Sequence, residues 1–173
     1  KDMKKTLLLV GIFVLSFTAM QAQRFALVDI EYILQQIPTY ESATEQLNQS
    51  SKQWEKEIEA LTTEAQTLYK NYQTEMVFLS DEMKVKREEA IIAKEKEAMD
   101  LKKKYFGAEG ELFKKKESLL KPIQDEIYNA VKEISENKNI QLILDRASGN
   151  NIIFASPTID ISDEVLQRMG YVR

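Results

Sequence analysis

The sequence predicts an α+β protein, mainly α, in which a small β-containing body carries a long antiparallel coiled-coil hairpin. Three observations predict it. Apolar residues recur at alternating three- and four-residue gaps through the middle of the chain. Only five Gly and three Pro interrupt 173 residues, 30% of which are charged, so long uninterrupted helix is the natural outcome. Strand-like runs stand at both ends, "FALV" at 25–28 and "IQLILDRASGNNIIFA" at 140–155.

The chain begins "KDMKKTLLLVGIFVLSFTAMQAQ", with Met3 the expected initiator, a basic start at Lys4 and Lys5 and an apolar run over 7–19. This is the pattern of a secretory signal peptide spanning 1–22 and cleaved before Gln23. The apolar run is shorter than the roughly 20 residues a membrane-spanning helix needs. With no Cys in the chain, a lipid-attached leader is excluded. Export of such a chain implies the periplasm as its destination.

The mature N-terminus opens on Phe25, Ala26, Leu27 and Val28, apolar on both faces as a doubly buried strand is. Asp29 is placed to cap a short helix carrying Ile33, Leu34 and Ile37, and Pro38 interrupts it because the residue before Pro avoids helical geometry. A seam then runs through Leu47, Trp54, Ile58, Leu61, Ala65, Leu68, Tyr72 and Leu79, with Ser51 and Glu75 in the remaining slots. Such spacing buries one helix stripe against another.

In "FLSDEM", Ser80 is an N-cap, and Asp81 and Glu82 suit the positive end of a new helix, so the chain is expected to reverse there. The second arm repeats the period at Ile91, Ala98, Leu101, Tyr105, Ala108, Leu112, Leu119, Ile123, Ile127, Val131 and Ile134. Arms of about 40 residues make a rod of roughly 60 Å. Gly107 and Gly110 lie inside the second arm. Either they permit a bend or their small size admits the facing helix, at about 1 kcal/mol each relative to Ala. Acidic residues 41, 45, 55, 57, 59 and 64 are expected to oppose the lysines at 102–104 and 114–116, biasing register more than stability.

Pro122 is expected to kink the second arm and "ENKN" at 136–139 to end it. Strands over about 141–145 and 151–155, flanking a Ser148-Gly149-Asn150 turn, follow as a hairpin that pairs with the N-terminal strand. A last helix starts at Ser162 as N-cap, with Asp163 and Glu164 in its first turn and an Ile161 to Leu166 staple, and stops at Gly170. The expected organisation is a body from 23–40 plus 122–173 and a hairpin over 41–121 with its tip near 78–83. A three-stranded body is undersized, and without Cys or metal ligands self-association is the remaining means of stabilising it.

The absence of both Cys and His removes thiol nucleophiles, disulfides, Cys/His zinc sites and Ser-His-Asp triads. The plentiful Asp and Glu lie along helix patterns with no Gly-rich phosphate loop and no calcium-loop spacing, so neither an enzyme nor a cofactor is expected. The net charge is −4, and loss of 1–22 takes it to near −6, so no nucleic-acid partner is expected.

The stretches "FALVDIEYILQQIPTYESATEQL", "LSDEMKVKREEA", "LLKPIQDEIYNAVKEISENKNIQLILD" and "IDISDEVLQRMG", in this order and spacing, make the chain resemble the Skp/OmpH family of periplasmic chaperones over essentially its whole mature length. The resemblance implies a trimeric, jellyfish-like assembly. Its β-rich body carries helical tentacles that hold unfolded outer-membrane β-barrel proteins without ATP or any cofactor. In that frame the residues expected to meet clients are Met76, Val77, Phe78, Leu79, Met83, Phe106 and Phe113. Those expected to join the three copies are Phe25, Leu27, Val28, Leu142, Leu144, Ile152 and Phe154. Transient contact with a membrane surface is a further expectation. Better-known members of the family are strongly basic whereas this chain is acidic, so the lysine clusters are read either as basic patches for clients or as partners of the acidic arm. The alternative function is an envelope scaffold docking its hairpin on one defined partner.

Overall fold

A computed structural model of the chain describes residues 24–148 and 152–171. The expected signal peptide, the Gly149-Asn150 part of the expected turn and Asn151 lie outside the described residues. The elements run β1 (Phe25–Val28), α1 (Ile30–Gln35), α2 (Pro38–Glu75), α3 (Asp81–Phe106), α4 (Glu111–Lys138), β2 (Leu142–Asp145), a 3₁₀ turn (Pro157–Ile159) and α5 (Ser162–Arg168). The architecture is mainly helical, with one small sheet and a long helical hairpin. Contacts divide the chain into two units. One comprises the described residues through Leu34 with those from Tyr128 onward; the other is Gln35–Ile127.

In the first unit β1 and β2 pair in parallel, Phe25 beside Leu142 through Val28 beside Asp145. A parallel pair cannot close through a tight turn and needs a long crossover, which here is the whole helical excursion. The strands from the two chain ends thus meet, as expected. The ladder is extended at both ends by Gln141 N–H donating to Arg24 O (2.9 Å) and Arg146 N–H to Val28 O (2.8 Å).

The expected third strand is corrected. Residues 152–155 belong to no ladder, and Ile153 and Phe154 are almost wholly exposed. The other edge of β1 is met instead at Asp160, by a parallel bridge to Leu27 and the Ile161 N–H donating to Leu27 O at 2.9 Å. The sheet is therefore two-stranded rather than three-stranded. An apolar run signals a need for burial, not which edge will supply it.

Asp29 caps α1 as expected, accepting from Tyr32 N–H at 2.8 Å. Its carboxylate also pairs with Arg146 (3.0 Å), which reaches Asp160 at 2.9 Å. Ser162 departs from its expected role. It is the first residue of α5 rather than its cap, and its hydroxyl faces inward, accepting from Asp29 N–H (2.8 Å) and donating to Asp160 (2.6 Å). A buried hydroxyl is most stable where such partners await it, which overrides its capping preference. Burial works against the Asp145 carboxylate, yet donation from Ser148 and the Ile30 and Ala147 amides holds its pKa below the usual range. The core of this unit is Ala26, Leu27, Val28, Ile33, Ala130, Ile134, Ile161, Val165 and Leu166.

Two helix ends in this unit share one device. Asn139 (φ 52°) follows α4 with Ile140 N–H donating to Ser135 O, and Gly170 (φ 87°) follows α5 with Tyr171 N–H donating to Leu166 O, both at 2.9 Å. These are left-handed caps that satisfy otherwise orphaned carbonyls. Glu133–Arg168 and Lys138–Glu164 ion pairs join α5 to the end of α4.

In the second unit Ile37 is extended (ψ 109°) and Pro38 starts α2, so the proline both ends α1 and begins the next helix. The α2 seam is as expected, with Ala65 buried and Trp54, Ile58, Leu61, Leu68 and Tyr72 half-buried. Ser80 caps α3, accepting from Met83 N–H at 3.3 Å, and the chain reverses there. Ion pairs Glu75–Arg87 (3.3 Å) and Glu64–Lys94 (3.3 Å) set α2 against α3 in antiparallel register.

The second arm is broken between α3 and α4 at residues 107–110, and Ala108, expected in the seam, is exposed in that break. Of the two readings of the glycines, accommodation of the facing helix fails. A Cβ on Gly107 would stand 2.4 Å from Lys103 O, and one on Gly110 would stand 2.7 Å from Tyr105 O, both atoms of the preceding turn. Gly107→Ala and Gly110→Ala are accordingly expected each to destabilise by about 1 kcal/mol or more. A glycine in a regular helix would instead yield a gain of about 1 kcal/mol. Thermal unfolding followed by circular dichroism distinguishes the signs. Pro122 lies within α4 without ending it.

Candidate interaction surfaces

At the hairpin turn the last turn of α2 closes with Met76 N–H donating to Tyr72 O (2.8 Å), and Phe78 N–H donates to Glu75 O (2.9 Å). This tight reversal leaves Val77 and Phe78 no neighbouring helix to cover them, and they are 83% and 88% exposed. Met76 and Met83 are also exposed, while Leu79 is half-buried. The charges around them are satisfied among themselves, through Lys84–Asp81 (3.2 Å), Lys86–Glu82 (2.8 Å) and Glu75–Arg87. What the turn offers a partner is apolar surface rather than free charge.

The fold brings Met76, Val77, Phe78, Leu79 and Met83 together, but not Phe106 or Phe113. Phe106, at the end of α3, meets Trp54 edge-on with centroids 6.3 Å apart. Trp54 in turn stacks on Tyr105 at 4.8 Å. Tyr105 donates its hydroxyl to Glu57 at 2.6 Å, which holds the Glu57 carboxyl below its ordinary range and raises the Tyr105 phenol. Phe106 is thus half committed to the hairpin's own packing, whereas Phe113, in the first turn of α4, is 46% exposed.

The lysines at 102–104 stand against the acidic arm as expected, Lys104 helping to lower the Glu57 carboxyl and Lys102 lining one groove with Glu55 and Glu59, but without close ion pairs. Among the described residues none of the lysines at 102–104 or 114–116 forms an ion pair with α2. Lys114 pairs within its own helix with Glu111, and Lys115 donates to the Ser50 hydroxyl at 2.6 Å. The cross-arm partner of Glu64 is Lys94, a seam position that sequence reading left blank. A long aliphatic stem can occupy a seam while its ammonium group reaches the edge.

A second apolar surface lies in the first unit. Strand alternation puts Phe25, Leu27, Leu142 and Leu144 on one face of the sheet. Leu27 and Val28 are buried within the chain itself. Phe25, Leu142 and Leu144 remain exposed on their face, and Ile152, Ile153 and Phe154 are exposed as well.

Tyr69, Val85, Ile92, Met99 and Ile153 are exposed as well, none of them among the residues expected to meet clients or other copies. The signal for three of them was present: Val85, Ile92 and Met99 are seven residues apart, and Ile92 and Met99 each follow a buried seam residue, as Phe106 follows Tyr105. Among the described residues no group of three or more Asp or Glu gathers as a metal site, and no helix is long and apolar enough to cross a membrane.

A family model described as outer membrane protein (OmpH-like) matches residues 24–169. The chain is 25% identical to the chaperone protein Skp of Yersinia enterocolitica over 161 residues, covering 92% of this chain and 93% of that one. Its fold is similar to the crystal structure of an OmpH-like protein from Caulobacter crescentus CB15, with a TM-score of 0.65 and 13% identity. That match covers 84% of this chain and 82% of the other.

Proposed function

Because the chain belongs to the OmpH-like outer membrane protein family, we propose that it is an ATP-independent periplasmic holdase that binds unfolded outer-membrane β-barrel proteins and delays their aggregation. The observation that carries this reading is the hairpin turn, where Val77 and Phe78 are more than four-fifths exposed within a collar of internally paired charges. Covering a Phe side chain releases on the order of 1.5–3 kcal/mol. Contacts of that size exchange readily one at a time and hold a chain only in number. Met76 and Met83 beside them have flexible, polarizable side chains that adapt to varied partners.

The same reading assigns self-association to the exposed sheet face of Phe25, Leu142 and Leu144 with Ile152 and Phe154, in a homotrimer. A two-stranded sheet is marginal alone, and the uncovered apolar face and the ladderless 152–155 segment suit completion by neighbouring copies.

The test uses a urea-unfolded outer-membrane β-barrel protein diluted into buffer, with light scattering as the readout. Wild type is expected to suppress aggregation, and Met76→Ser with Phe78→Ser to weaken suppression several-fold at unchanged helicity. Suppression equal to wild type would reject the turn as a contact site. Failure of wild type itself, with tight binding to one folded envelope protein, would favour the scaffold alternative.

A further inference from the structure

The chain has no cysteine, so two-electron oxidation of sulfur can fall only on its methionine thioethers. Methionine is most often a buried residue. Of the four methionines among the described residues, Met76, Met83 and Met99 are instead exposed, Met99 the most, and only Met169 at the end of α5 is half-buried. Two of the three exposed sulfurs stand in the hairpin turn, on either side of Val77 and Phe78.

The turn itself depends on neither thioether. Met76 serves it through its backbone N–H, which donates to Tyr72 O, and Met83 through its own N–H, which donates to the Ser80 hydroxyl. The other ties are the Phe78 N–H to Glu75 O bond and the Lys84–Asp81, Lys86–Glu82 and Glu75–Arg87 pairs. Oxidation at sulfur therefore leaves the reversal standing and alters only its surface.

When a peroxide delivers one oxygen to a thioether, its O–O bond breaks, an S–O bond forms, sulfur gives up two electrons and water leaves. The product is a polar sulfoxide in place of an apolar, adaptable side chain. In the free protein water solvates it. Beneath a bound client it is shut away from water, and the neighbouring cations that could bond it are already engaged by Asp81, Glu82 and Glu75. Burying a polar group without a partner opposes binding. Met99 is the contrasting case: it is exposed, but stands about 24 Å along α3 from Met83 at helical rise, so its oxidation leaves the turn apolar.

We propose that Met76 and Met83 form a reversible oxidation site for hydrogen peroxide or a related two-electron oxidant, and that their conversion to sulfoxides makes the turn release unfolded polypeptide. This rests on the holdase reading and adds its regulation. Return to the thioether consumes two thiols, which join as a disulfide while the sulfoxide oxygen leaves as water. A chain without cysteine cannot supply them, so the reductant is a separate methionine sulfoxide reductase.

The test treats the full processed chain with a dose of hydrogen peroxide at which peptide mass spectrometry finds Met76, Met83 and Met99 oxidised and Met169 intact. Peroxide is removed, and each protein is compared with its own untreated sample in the light-scattering assay with a urea-unfolded outer-membrane β-barrel protein. Treated wild type is expected to need roughly fivefold more protein for half-suppression, at unchanged helicity, and to recover after methionine sulfoxide reductase with dithiothreitol. Met99→Leu should lose as much on treatment as wild type does. Met76→Leu with Met83→Leu, which keeps apolar side chains and removes both sulfurs, should show no effect of peroxide. Unchanged suppression by treated wild type, an equal loss in the double variant, a loss that follows falling helicity, or Met169 oxidised as fast as the turn methionines would each overturn the inference. If untreated wild type does not suppress aggregation, the holdase reading falls and takes this inference with it; if it does and peroxide changes nothing, only this inference falls.

Discussion

Ile33→Ala is expected to lower stability by about 3 kcal/mol, the usual scale for removing a large aliphatic side chain that cannot be replaced by its surroundings. Ile33 is fully buried in α1, in the unit that also holds β1, β2 and α5. Against a total that for a domain of this kind is on the order of 5–15 kcal/mol, this is a large fraction. Amide hydrogen exchange is the suitable measure because the chain has two units. Protection should fall about a hundredfold in β1, β2 and α5 and far less in α2 and α3. Ile92→Ala, at a position 62% exposed, should change stability by no more than about 0.5 kcal/mol. Equal effects at the two positions would contradict the assigned core.

On the proposed self-association, Leu144→Lys combined with Phe154→Lys is expected to leave the protein monomeric at a micromolar concentration at which wild type is associated, read by sedimentation velocity. Each copy would lose two apolar contacts worth on the order of 1.5–3 kcal/mol apiece and would carry ammonium groups into a contact that cannot solvate them. Because Leu144 is 43% and Phe154 85% exposed within the single chain, the substitutions leave its own core intact. The folded monomer should nevertheless melt lower than wild type, since association stabilises the folded state by mass action. A wild-type chain already monomeric at that concentration, or a variant that sediments as wild type does, would remove the assignment of this face.

The same distinction between local and non-local causes explains how much could be read in advance. The α2 seam, the Ser80 cap, the Asp29 cap and the Gly170 stop were legible because each depends on residues within a turn or two of one another. Ser162 was misassigned because its hydroxyl is claimed by Asp29, 133 residues away in the chain. The turn residues Met76, Val77 and Phe78 could be anticipated as exposed from the reversal alone. Phe106 was legible as facing partly outward because it follows the seam residue Tyr105, whereas its edge-on contact with Trp54 across the hairpin was not.

By itself the sequence determined the helices, their antiparallel return and the existence of strands at both chain ends, because periodicity and capping act over a few residues. Only the tertiary structure decided that β1 and β2 run parallel, that 152–155 stays outside their ladder, and that the second arm breaks at 107–110. The reason is physical. A residue pattern states that a face must be covered, whereas which edge or helix covers it is settled by segments far away in the chain competing for the same surface.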